Sequence, residues 1–396
     1  MQIALRQQKS IGSVFYRLSD YLDKSQQNAQ GLELGRQVMQ ALESYPQELM
    51  QGQIGQEFVA VLVNEIGTRS MALQQFQEAE KAFLKALELW DGMTQSPEQK
   101  GKVRAGILHQ LGMVAQEQRK YAEAERYYKE ALAIDIEYND RYEQAGTLHQ
   151  LGRVAEEQRK YAEAEHYYKE ALSIKIEYNA RYDQASTLHQ LGMVAQKQRK
   201  YAEAERYYKE ALEIYVEYNA RYEQASTLGQ LGIMSQNQRD YAEAERHYKD
   251  ALAIFIEYKD RHNQATTLNQ LGATAQKQRK YAEAEGYYKE ALGIYVEYNA
   301  RYDQAGTLGQ LGLLAEDQQQ WDEAQGYALE AAAIFIEFVD QYSFEIVLGL
   351  LIRIWRATKA RDLVEKVATL GNISVTECEA LLDKLAAASE SGDGEE

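Results

Sequence analysis

Residues 145–184 read AGTLHQLGRVAEEQRKYAEAEHYYKEALSIKIEYNARYDQ, and residues 185–224 read ASTLHQLGMVAQKQRKYAEAERYYKEALEIYVEYNARYEQ. The second stretch nearly copies the first. Six such copies follow one another without an insertion, and each carries a Leu-Gly pair with an aromatic residue ten positions after the leucine. The leucines are Leu111, Leu151, Leu191, Leu231, Leu271 and Leu311, and the aromatic residues are Tyr121, Tyr161, Tyr201, Tyr241, Tyr281 and Trp321. A fixed period of this length predicts stacked supersecondary units instead of one globular core.

Each copy is predicted to form two antiparallel helices. Apolar residues recur at three- and four-residue spacing in two stretches, which is the pattern of a buried helix face. In the first copy quoted these are Leu148, Leu151, Val154 and Ala155, and then Ala164, Tyr167, Tyr168, Ala171, Leu172 and Ile174. The polar connection 158–160 is short enough to force a hairpin, and hairpins bury both faces by stacking on their neighbours. The sequence therefore predicts an all-α fold, an α-solenoid of antiparallel helix hairpins.

The composition agrees with this fold and excludes several classes of protein. Pro46 and Pro97 are the only prolines in 396 residues, which suits a helical chain because proline breaks helix interiors. The single cysteine, Cys378, excludes an intramolecular disulfide and a cysteine zinc site. The longest apolar run, Phe344–Ile352, is too short to cross a bilayer, which takes about 20 residues. We expect no membrane partner, and we expect a reducing, cytoplasmic location.

The charge is distributed unevenly along the chain. The formal net charge is −17, and residues 308–396 hold 17 acidic and 6 basic side chains, which is −11 of that total. Residues 101–307 hold 32 acidic and 29 basic side chains and are close to balanced. A nucleic-acid-binding protein normally presents a basic face that replaces counterions. The sequence therefore predicts no nucleic-acid partner and disfavours a helical repeat that reads RNA one base per unit.

The repeated residues resemble a known family. The pattern Leu151-Gly152, Ala155, Tyr161, Ala164, Tyr168 and Ala171, with KYAEAEHYYKEAL around it, resembles the tetratricopeptide repeat. The forty-residue period resembles the extended subtype found in kinesin light chains and in many bacterial arrays. This resemblance implies a right-handed superhelix of antiparallel hairpins whose first helices line a concave surface.

Two positions depart from the family pattern. The family's usual proline after the second helix is replaced by Ile176, so we expect that helix to run longer. The family's usual glycine in the inner turn is replaced by Arg159. A left-handed backbone at an arginine would cost about 1 kcal/mol, so we expect a turn of different conformation.

The chain is predicted to contain five parts. They are an N-terminal helical cap (1–55, with helices at Val14–Leu22 and Leu32–Leu42), a divergent first repeat (56–107), six forty-residue repeats of which the last is divergent (108–347), a C-terminal helical cap (348–387) and a disordered acidic tail (388–396).

Three histidines recur at one repeat position: His109, His149 and His189. A metal or pH-sensing ladder is one interpretation. Adjacent solenoid helices lie about 8–10 Å apart, which is awkward for sharing one ion. We therefore favour the interpretation that these histidines are ordinary polar residues of a groove.

No other residues indicate catalysis. The carboxylates Glu163 and Glu165 recur in every regular copy and lie in the first turn of the second helix, where the helix dipole favours anions. Tyr167 and Tyr168 could stack nucleobases, but Tyr168 belongs to the packing pattern of the family. The chain has no phosphate-loop, nucleophile-elbow or zinc-protease motif. The sequence predicts a protein that is not an enzyme and that uses no cofactor or metal.

Positions that vary between copies on the first helix are candidates for contacting a ligand. At helical spacing His149, Arg153 and Glu156 form a stripe roughly opposite Leu148 and Leu151. The resemblance implies that this helix faces bound peptides. The candidate groove residues are His109, Met113, Gln116, His149, Arg153, Glu156, His189, Met193, Gln196, Ile233, Gln236, Asn269, Gln276 and Leu313. Neutral drift of solvated residues is the competing interpretation, and the apolar members of the stripe favour a groove.

These observations predict a non-catalytic scaffold or adaptor that binds a protein or peptide, as a regulatory or assembly subunit of a larger bacterial complex. The family's dicarboxylate clamp uses Lys, Asn and Arg, which this stripe mostly lacks, so an extended peptide or helix with apolar side chains is the favoured ligand. A second interface is predicted in the apolar C-terminal cap, at Phe344, Leu348, Leu351 and Trp355. The alternative function is a structural solenoid that forms homo-oligomers end to end through this cap.

Overall fold

The computed structural model describes residues 27–43 and 53–392, and all regular structure within these ranges is α-helical. The helices are α1 (Asn28–Glu43), α2 (Gln53–Ala72), α3 (Phe76–Gly92), α4 (Pro97–Glu117), α5 (Tyr121–Glu137), α6 (Arg141–Glu157), α7 (Tyr161–Glu177), α8 (Arg181–Lys197), α9 (Tyr201–Glu217), α10 (Arg221–Asn237), α11 (Tyr241–Glu257), α12 (Arg261–Lys277), α13 (Tyr281–Glu297), α14 (Arg301–Asp317), α15 (Trp321–Glu337), α16 (Gln341–Thr358), α17 (Arg361–Gly371) and α18 (Val375–Gly392). The predicted all-α fold is confirmed.

The chain divides into two compact units, residues 1–207 and 208–396, with the boundary inside α9. In the first unit α2 pairs with α3, α4 with α5 and α6 with α7, and each hairpin packs on the next. In the second unit α10 pairs with α11, α12 with α13 and α14 with α15 in the same manner. We call α4, α6, α8, α10, α12 and α14 the first helices, and their partners the second helices. Consecutive packing of this kind is the organisation of a helical-repeat protein.

A glycine and a tyrosine hold the two helices of a hairpin together. In the hairpin α6–α7, Gly152 on the first helix lies directly under the fully buried ring of Tyr168 on the second. The same contact joins Gly112 to Tyr128, Gly232 to Tyr248 and Gly272 to Tyr288. Because glycine has no side chain, the ring fills the space beside the first helix, and this contact explains the Leu-Gly marker of the repeat.

The turn inside each hairpin is left-handed, and here the sequence-based expectation of a different turn is wrong. Arg159 has φ 60°, and its equivalents are Gln74, Arg119, Arg199, Arg239, Arg279 and Gln319, with φ 59–63°. The Arg159 amide donates to the Glu156 carbonyl (2.8 Å) and the Lys160 amide to the Ala155 carbonyl (2.8 Å), which is a Schellman motif. These two bonds satisfy carbonyls that the helix end leaves open. They offset the cost of an arginine in this conformation.

The second helix runs through the position at which the family has proline. Helix α7 continues past Ile176 to Glu177, as predicted, and Asn179 with φ 52° then ends it. The following first helix, α8, then begins at Arg181.

Neighbouring hairpins are joined by repeated ion pairs. Lys160 lies 3.3 Å from Glu125 of the preceding hairpin, and Lys200 lies 2.9 Å from Glu165. Lys120 with Glu80 and Lys280 with Glu245 make the same contact. The lysines are about half exposed, so each pair contributes well under about 1 kcal/mol. They position the hairpins more than they stabilise them.

The C-terminal helices correct the predicted second interface. Leu351 is 1% exposed and Trp355 is 3% exposed, because α16 packs against both α15 and α18. The Trp355 indole Nε1 donates to the Asp383 carboxylate of α18 (3.0 Å). Phe344 and Leu348 are only partly buried. The apolar stretch therefore forms the core of the cap, and Leu351 and Trp355 are not surface residues.

The structure describes one of the two helices predicted in the N-terminal cap and most of the predicted C-terminal tail. Residues 14–22 lie outside the described ranges, whereas 32–42 lie within α1. Helix α18 extends to Gly392, so the predicted disordered tail does not begin at residue 388; the alanines at 386–388 favour helix. Residues 393–396 lie outside the described ranges. None of the helices in the described ranges is both long and apolar enough to cross a membrane.

Candidate binding surface

The side of each first helix that faces away from its hairpin carries four rows of residues. In α6 these rows are represented by Gly146, Gln150, Arg153 and Glu157, spaced by three or four residues, while Leu151 points into the core. We call this set the first-helix face. The first row is small (Gly106, Gly146, Ser186, Ser226, Thr266, Gly306), the second is always glutamine (Gln110, Gln150, Gln190, Gln230, Gln270, Gln310), and the third varies (Met113, Arg153, Met193, Ile233, Ala273, Leu313). The fourth row is polar or charged (Glu117, Glu157, Lys197, Asn237, Lys277, Asp317).

The third row contains five of the residues predicted from sequence. Arg153 is exposed, and its guanidinium donates to the Gln150 side-chain oxygen (3.3 Å). The other four, Met113, Met193, Ile233 and Leu313, are half-buried. The variable middle of the predicted stripe therefore lies on the first-helix face, where a ligand could contact it.

The predicted histidines occupy the seam between consecutive first helices. His109 Nδ1 lies 3.3 Å from the Thr147 hydroxyl of the next first helix, and His149 Nδ1 lies 3.2 Å from that of Thr187. Asn269 donates to the Thr307 hydroxyl in the same way (2.9 Å). These side chains fill the seam between the helices. They therefore contribute mainly to packing, whereas from sequence they were assigned to the surface of the groove.

Burial keeps these histidines neutral. It lowers the pKa of His149 to about 3 and that of His189 to about 4, and it also lowers the pKa of His109. The rings of His109 and His149 lie edge-on to Tyr128 and Tyr168 of the same hairpins, with 5.3 Å between ring centroids in each pair. No group of three or more potential metal ligands is present in the part of the chain that the structure describes.

The last row of the predicted stripe points into the hairpin. The hydroxyl of Tyr128 donates to the Gln116 side chain (3.2 Å), and that of Tyr168 donates to Glu156 (3.2 Å). Gln276 accepts from Tyr288 in the same way (3.1 Å). These residues satisfy the buried tyrosine hydroxyls, so they are not free to bind a ligand. The structure thus places Gln116, Glu156 and Gln276 against the tyrosines of their own hairpins and not on the first-helix face.

Two first helices carry glycine where the others carry histidine or asparagine. A Cβ added to Gly229 would meet no heavy atom within 4 Å, and one added to Gly309 would meet only Val347, at 3.9 Å. Because the seam is not filled at these two positions, a pocket opens beside each glycine. Both pockets lie in the second unit.

The pocket beside Gly309 is apolar. Its volume is about 200 Å³, and it is formed by α14, α15 and α16. Leu313, Phe335, Ile346 and Val347 supply apolar walls, and Gln310 of the glutamine row lies at its margin. Such a site accommodates an aliphatic or aromatic group.

The pocket beside Gly229 has a similar volume, about 210 Å³, and more polar walls. Ile233 and Phe255 line it together with Gln230, Gln270 and Thr266. Pockets that hold drug-sized ligands or cofactors measure about 300–1,000 Å³. These two sites therefore suit single side chains better than a cofactor.

Tyr248 also lines the pocket beside Gly229, and its hydroxyl differs from the other buried tyrosine hydroxyls described above. It has no hydrogen-bond partner among the described residues. The expected partner, Gln236, instead donates to the Thr274 hydroxyl (3.2 Å), and position 274 is apolar in the five other copies. The pocket thus contains a buried polar group that is not satisfied.

The glutamine row was missed by sequence reasoning. Binding residues were expected to vary between copies, whereas this residue is identical in all six. The available signal was a polar residue that never changes although it lies outside the apolar packing pattern. Its amides border both pockets through Gln230, Gln270 and Gln310.

The paired carboxylates play a structural role, as predicted. Glu163 accepts from the Tyr167 hydroxyl (3.2 Å). Burial acts to raise the pKa of Glu165, but hydrogen bonds from Lys169 and Lys200 outweigh it and lower that pKa to about 2. Glu165 therefore remains ionised and joins two hairpins, which is not the environment of a general acid.

Repeated antiparallel hairpins with an exposed, partly variable first-helix face define a helical-repeat protein of the α-solenoid class. The family model described as "Tetratricopeptide repeat" matches residues 103–177, 183–234 and 223–297. The repeats of this chain belong to the tetratricopeptide repeat family. No curated protein matches the sequence.

Solved structures with the same fold cover nearly the whole chain. RapI in its apo form aligns with a TM-score of 0.63 and 18% identity over 88% of this chain and 98% of that one. A Rap protein complexed with competence and sporulation factor aligns with a TM-score of 0.52 and 18% identity, over 90% and 99%. Aspartyl phosphate phosphatase F from Bacillus subtilis aligns with a TM-score of 0.53 and 14% identity, over 89% and 94%. At these identities the similarity establishes the fold alone.

Proposed function

We propose that this chain is a non-catalytic scaffold or adaptor that binds a protein or peptide on its first-helix face. It acts as a regulatory or assembly subunit of a larger bacterial complex in the cytoplasm, without a cofactor, nucleic-acid partner or membrane partner. The observation that carries the proposal is the pair of side-chain-sized pockets beside Gly229 and Gly309. They occur where the chain departs from its own repeat.

The chemistry of the pockets supports a peptide as ligand. An aliphatic or aromatic side chain placed beside Leu313 and Phe335 buries apolar area, at about 25 cal/mol per Å². Glutamine amides at the pocket margins both donate and accept hydrogen bonds, as a peptide backbone requires. A ligand with two apolar side chains and an exposed backbone matches both features. The structure of a Rap protein with competence and sporulation factor is a precedent for a bound partner on this fold.

A binding role is favoured over catalysis by the state of the titratable groups. The phosphatase neighbour shares the fold, but the histidines His109, His149 and His189 of this chain are held neutral in the seams between helices. Cys378 is buried in the C-terminal cap, and burial raises the pKa of its thiol. An imidazole with so low a pKa is a weak base, and a thiol with a raised pKa stays protonated, so neither is poised as a base or nucleophile.

The alternative function, end-to-end self-association through the C-terminal cap, loses its main support. Two of the four residues assigned to that interface, Leu351 and Trp355, form the core of the cap. Leu351→Asp would unfold the cap whether or not an interface exists, so it cannot test the idea.

The binding proposal is tested by filling the two pockets with histidine, the residue that three other copies carry at this position. Peptides are selected from a displayed random library on the immobilised protein, and their affinity is compared for wild type and for Gly229→His with Gly309→His. We expect selected peptides to carry apolar residues and to bind the double variant at least about tenfold more weakly, a loss of about 1.4 kcal/mol. Since three copies already carry histidine here, the melting temperature should not fall.

Gly286→His is the matched control, because Gly286 is exposed on the second helix α13, has no heavy atom within 4 Å of its Cβ position, and is replaced by His166 in another copy. This variant should bind the selected peptides like wild type. Selection of no peptide, or equal affinity for the double variant and wild type, would reject the proposed pockets.

A further inference from the structure

A row of β-branched side chains is exposed near the end of the second helices. Such residues normally lie inside, and isolated exceptions are common, but a regular series is not. Ile176 is 59% exposed and Ile256 is 56% exposed. The complete series is Ile136 and Ile176 in the first unit and Val216, Ile256, Val296 and Ile336 in the second. Only isoleucine and valine occur at this position.

Exposed aromatic residues accompany this row. One series stands two residues after the aliphatic side chain and consists of Tyr178, Tyr218, Tyr258, Tyr298 and Phe338. The other stands at the second position of the helix that follows and consists of Tyr142, Tyr182, Tyr222, Tyr302 and Tyr342. The ring centroids of Tyr222 and Tyr258 are 5.6 Å apart, as are those of Tyr302 and Phe338. We call the members of these three exposed series that lie in residues 208–396 the edge ridge. They are Val216, Tyr218, Tyr222, Ile256, Tyr258, Val296, Tyr298, Tyr302, Ile336, Phe338 and Tyr342. Its rings are already ordered against one another, so little rotamer entropy remains to be lost on docking.

Ion pairs of balanced charge run beside the edge ridge. Arg261 lies 2.7 Å from Glu297 and Arg301 lies 2.9 Å from Glu337, and Arg221 lies near Glu257 at 3.5 Å. Each pair contributes one charge of each sign, although the whole chain carries a net charge of −17. Rows of alternating sign are complementary when two such rows run in opposite directions. Asp260 and Asp340, which accept from the hydroxyls of Tyr222 (2.7 Å) and Tyr302 (2.6 Å), add acidic charge beside the ridge, so association should strengthen as salt screens that charge.

We propose that the edge ridge is the interface through which two copies of this chain associate. Each hairpin contributes one segment of the ridge, and the regular stacking of the hairpins sets the spacing between segments. A partner that covers more than one segment must present apolar groups at the same spacing. A second copy has this spacing by construction. In a two-fold arrangement the same patch meets itself, and each row of Arg and Glu faces the reversed row. This interface lies at the ends of the hairpins, next to the two pockets, because the ridge rings of Tyr222 and Tyr302 contact Phe255 and Phe335, which line those pockets.

The association state tests this proposal directly. Sedimentation velocity at about 100 µM, where a weak dimer is populated, should show wild type as a dimer. Ile256→Lys with Val296→Lys should be a monomer, with unchanged helicity and melting because both side chains are exposed in wild type. The control places the same charges at the other end of the same two helices, as Ala242→Lys with Ala282→Lys, at exposed positions. The control should remain a dimer.

A cross-linking experiment locates the contact. The native Cys378 is buried and is not available for oxidation. In a two-fold dimer only residues near the axis meet their own copies, so cysteine is placed in turn at Tyr218, Tyr258, Tyr298 and Phe338. At least one of these variants should form an intermolecular disulfide under mild oxidation, and Ala242→Cys should not. A monomeric wild type, a ridge variant that dimerises like wild type, or no more cross-linking in the four ridge cysteine variants than in Ala242→Cys would overturn the proposal. A monomeric wild type that binds phosphatidylcholine vesicles would assign the ridge to a membrane surface instead and would equally overturn it.

Discussion

The ring of Tyr168 lies so close to Gly152 that a Cβ on the glycine would be 2.6 Å from the ring atom Cε1. Because Tyr168 is fully buried, neither group can move away cheaply. We expect Gly152→Ala to lower the free energy of unfolding by about 1–3 kcal/mol, measured by urea denaturation. Gly146→Ala in the same helix has open space around it and should raise that free energy by about 0.5–1 kcal/mol. Equal effects of the two alanines would show that the ring contact does not determine the glycine.

Two tyrosines at equivalent positions should respond differently to loss of the hydroxyl. Tyr288 donates to Gln276, so Tyr288→Phe should cost about 1 kcal/mol of stability. The buried hydroxyl of Tyr248 has no partner among the described residues, so Tyr248→Phe should be neutral or stabilising. Thermal melts of the two variants make the comparison.

Thr274→Val provides the converse of this experiment. Removing the Thr274 hydroxyl frees Gln236 to accept from Tyr248, and the stability should rise by about 1 kcal/mol. A Tyr248→Phe variant that is as unstable as Tyr288→Phe would mean that the Tyr248 hydroxyl is satisfied in solution.

Asp135 gives the first unit a predictable dependence on pH. Burial raises its pKa to about 6, although the Thr147 hydroxyl donates to it at 3.3 Å. Between about pH 4 and pH 6 the native state therefore holds a proton that the unfolded state has lost, so stability from this group falls as pH rises through that window. Above pH 6 the loss is complete.

Asp135→Asn removes this titration and keeps an acceptor for Thr147. At pH 7 the variant should be more stable than wild type by about 1–3 kcal/mol, and the difference should vanish near pH 4. Urea denaturation at the two pH values tests both statements. A difference independent of pH would show that the carboxylate does not titrate in this window.

Val339 is the least suitable residue for its backbone conformation. It has φ 56° and is 87% exposed, whereas Asn139, Asn179, Asn219 and Asn299 hold the same left-handed position in other copies. A β-branched side chain is strongly disfavoured there. Val339→Asn should raise the free energy of unfolding by about 1–2 kcal/mol, and Asn299→Val should lower it by a similar amount. If the two substitutions change the melting temperature in the same direction, the strain is absent.

The sequence was sufficient to predict the helices and their pairing because the period of forty and the apolar spacing leave little freedom. It did not predict the left-handed turn at Arg159, since the two Schellman hydrogen bonds that stabilise the turn involve only backbone atoms. The sequence also could not show that Glu156 faces the interior. A polar residue that accepts a hydrogen bond from a buried tyrosine hydroxyl cannot be told from a solvated one by sequence alone. Leu351 and Trp355 appeared to be an interface because the helix that covers them, α18, lies about thirty residues further along the chain.

The pockets were hidden for a related reason. At Gly229 and Gly309 the sequence shows only that a histidine is missing, and the space becomes visible once the neighbouring first helix is in place. The glutamine row was visible from the start, but its constancy resembled that of packing residues. A comparison of copies therefore separates packing from recognition only when burial is known as well.

The contact of Lys160 with Glu125 is repeated by Lys200 with Glu165, so hairpins that carry this lysine present the same ion-pair partner to their neighbours. Asp240 and Gln320 replace the lysine in two other copies. The hairpins are in this sense interchangeable modules. Gain or loss of a whole module that carries the lysine would leave its junctions matched, whereas an insertion or deletion of any other length would shift the helices out of register. The length of such a chain, and with it the number of ligand subsites, can change in single steps of forty residues without the invention of a new contact.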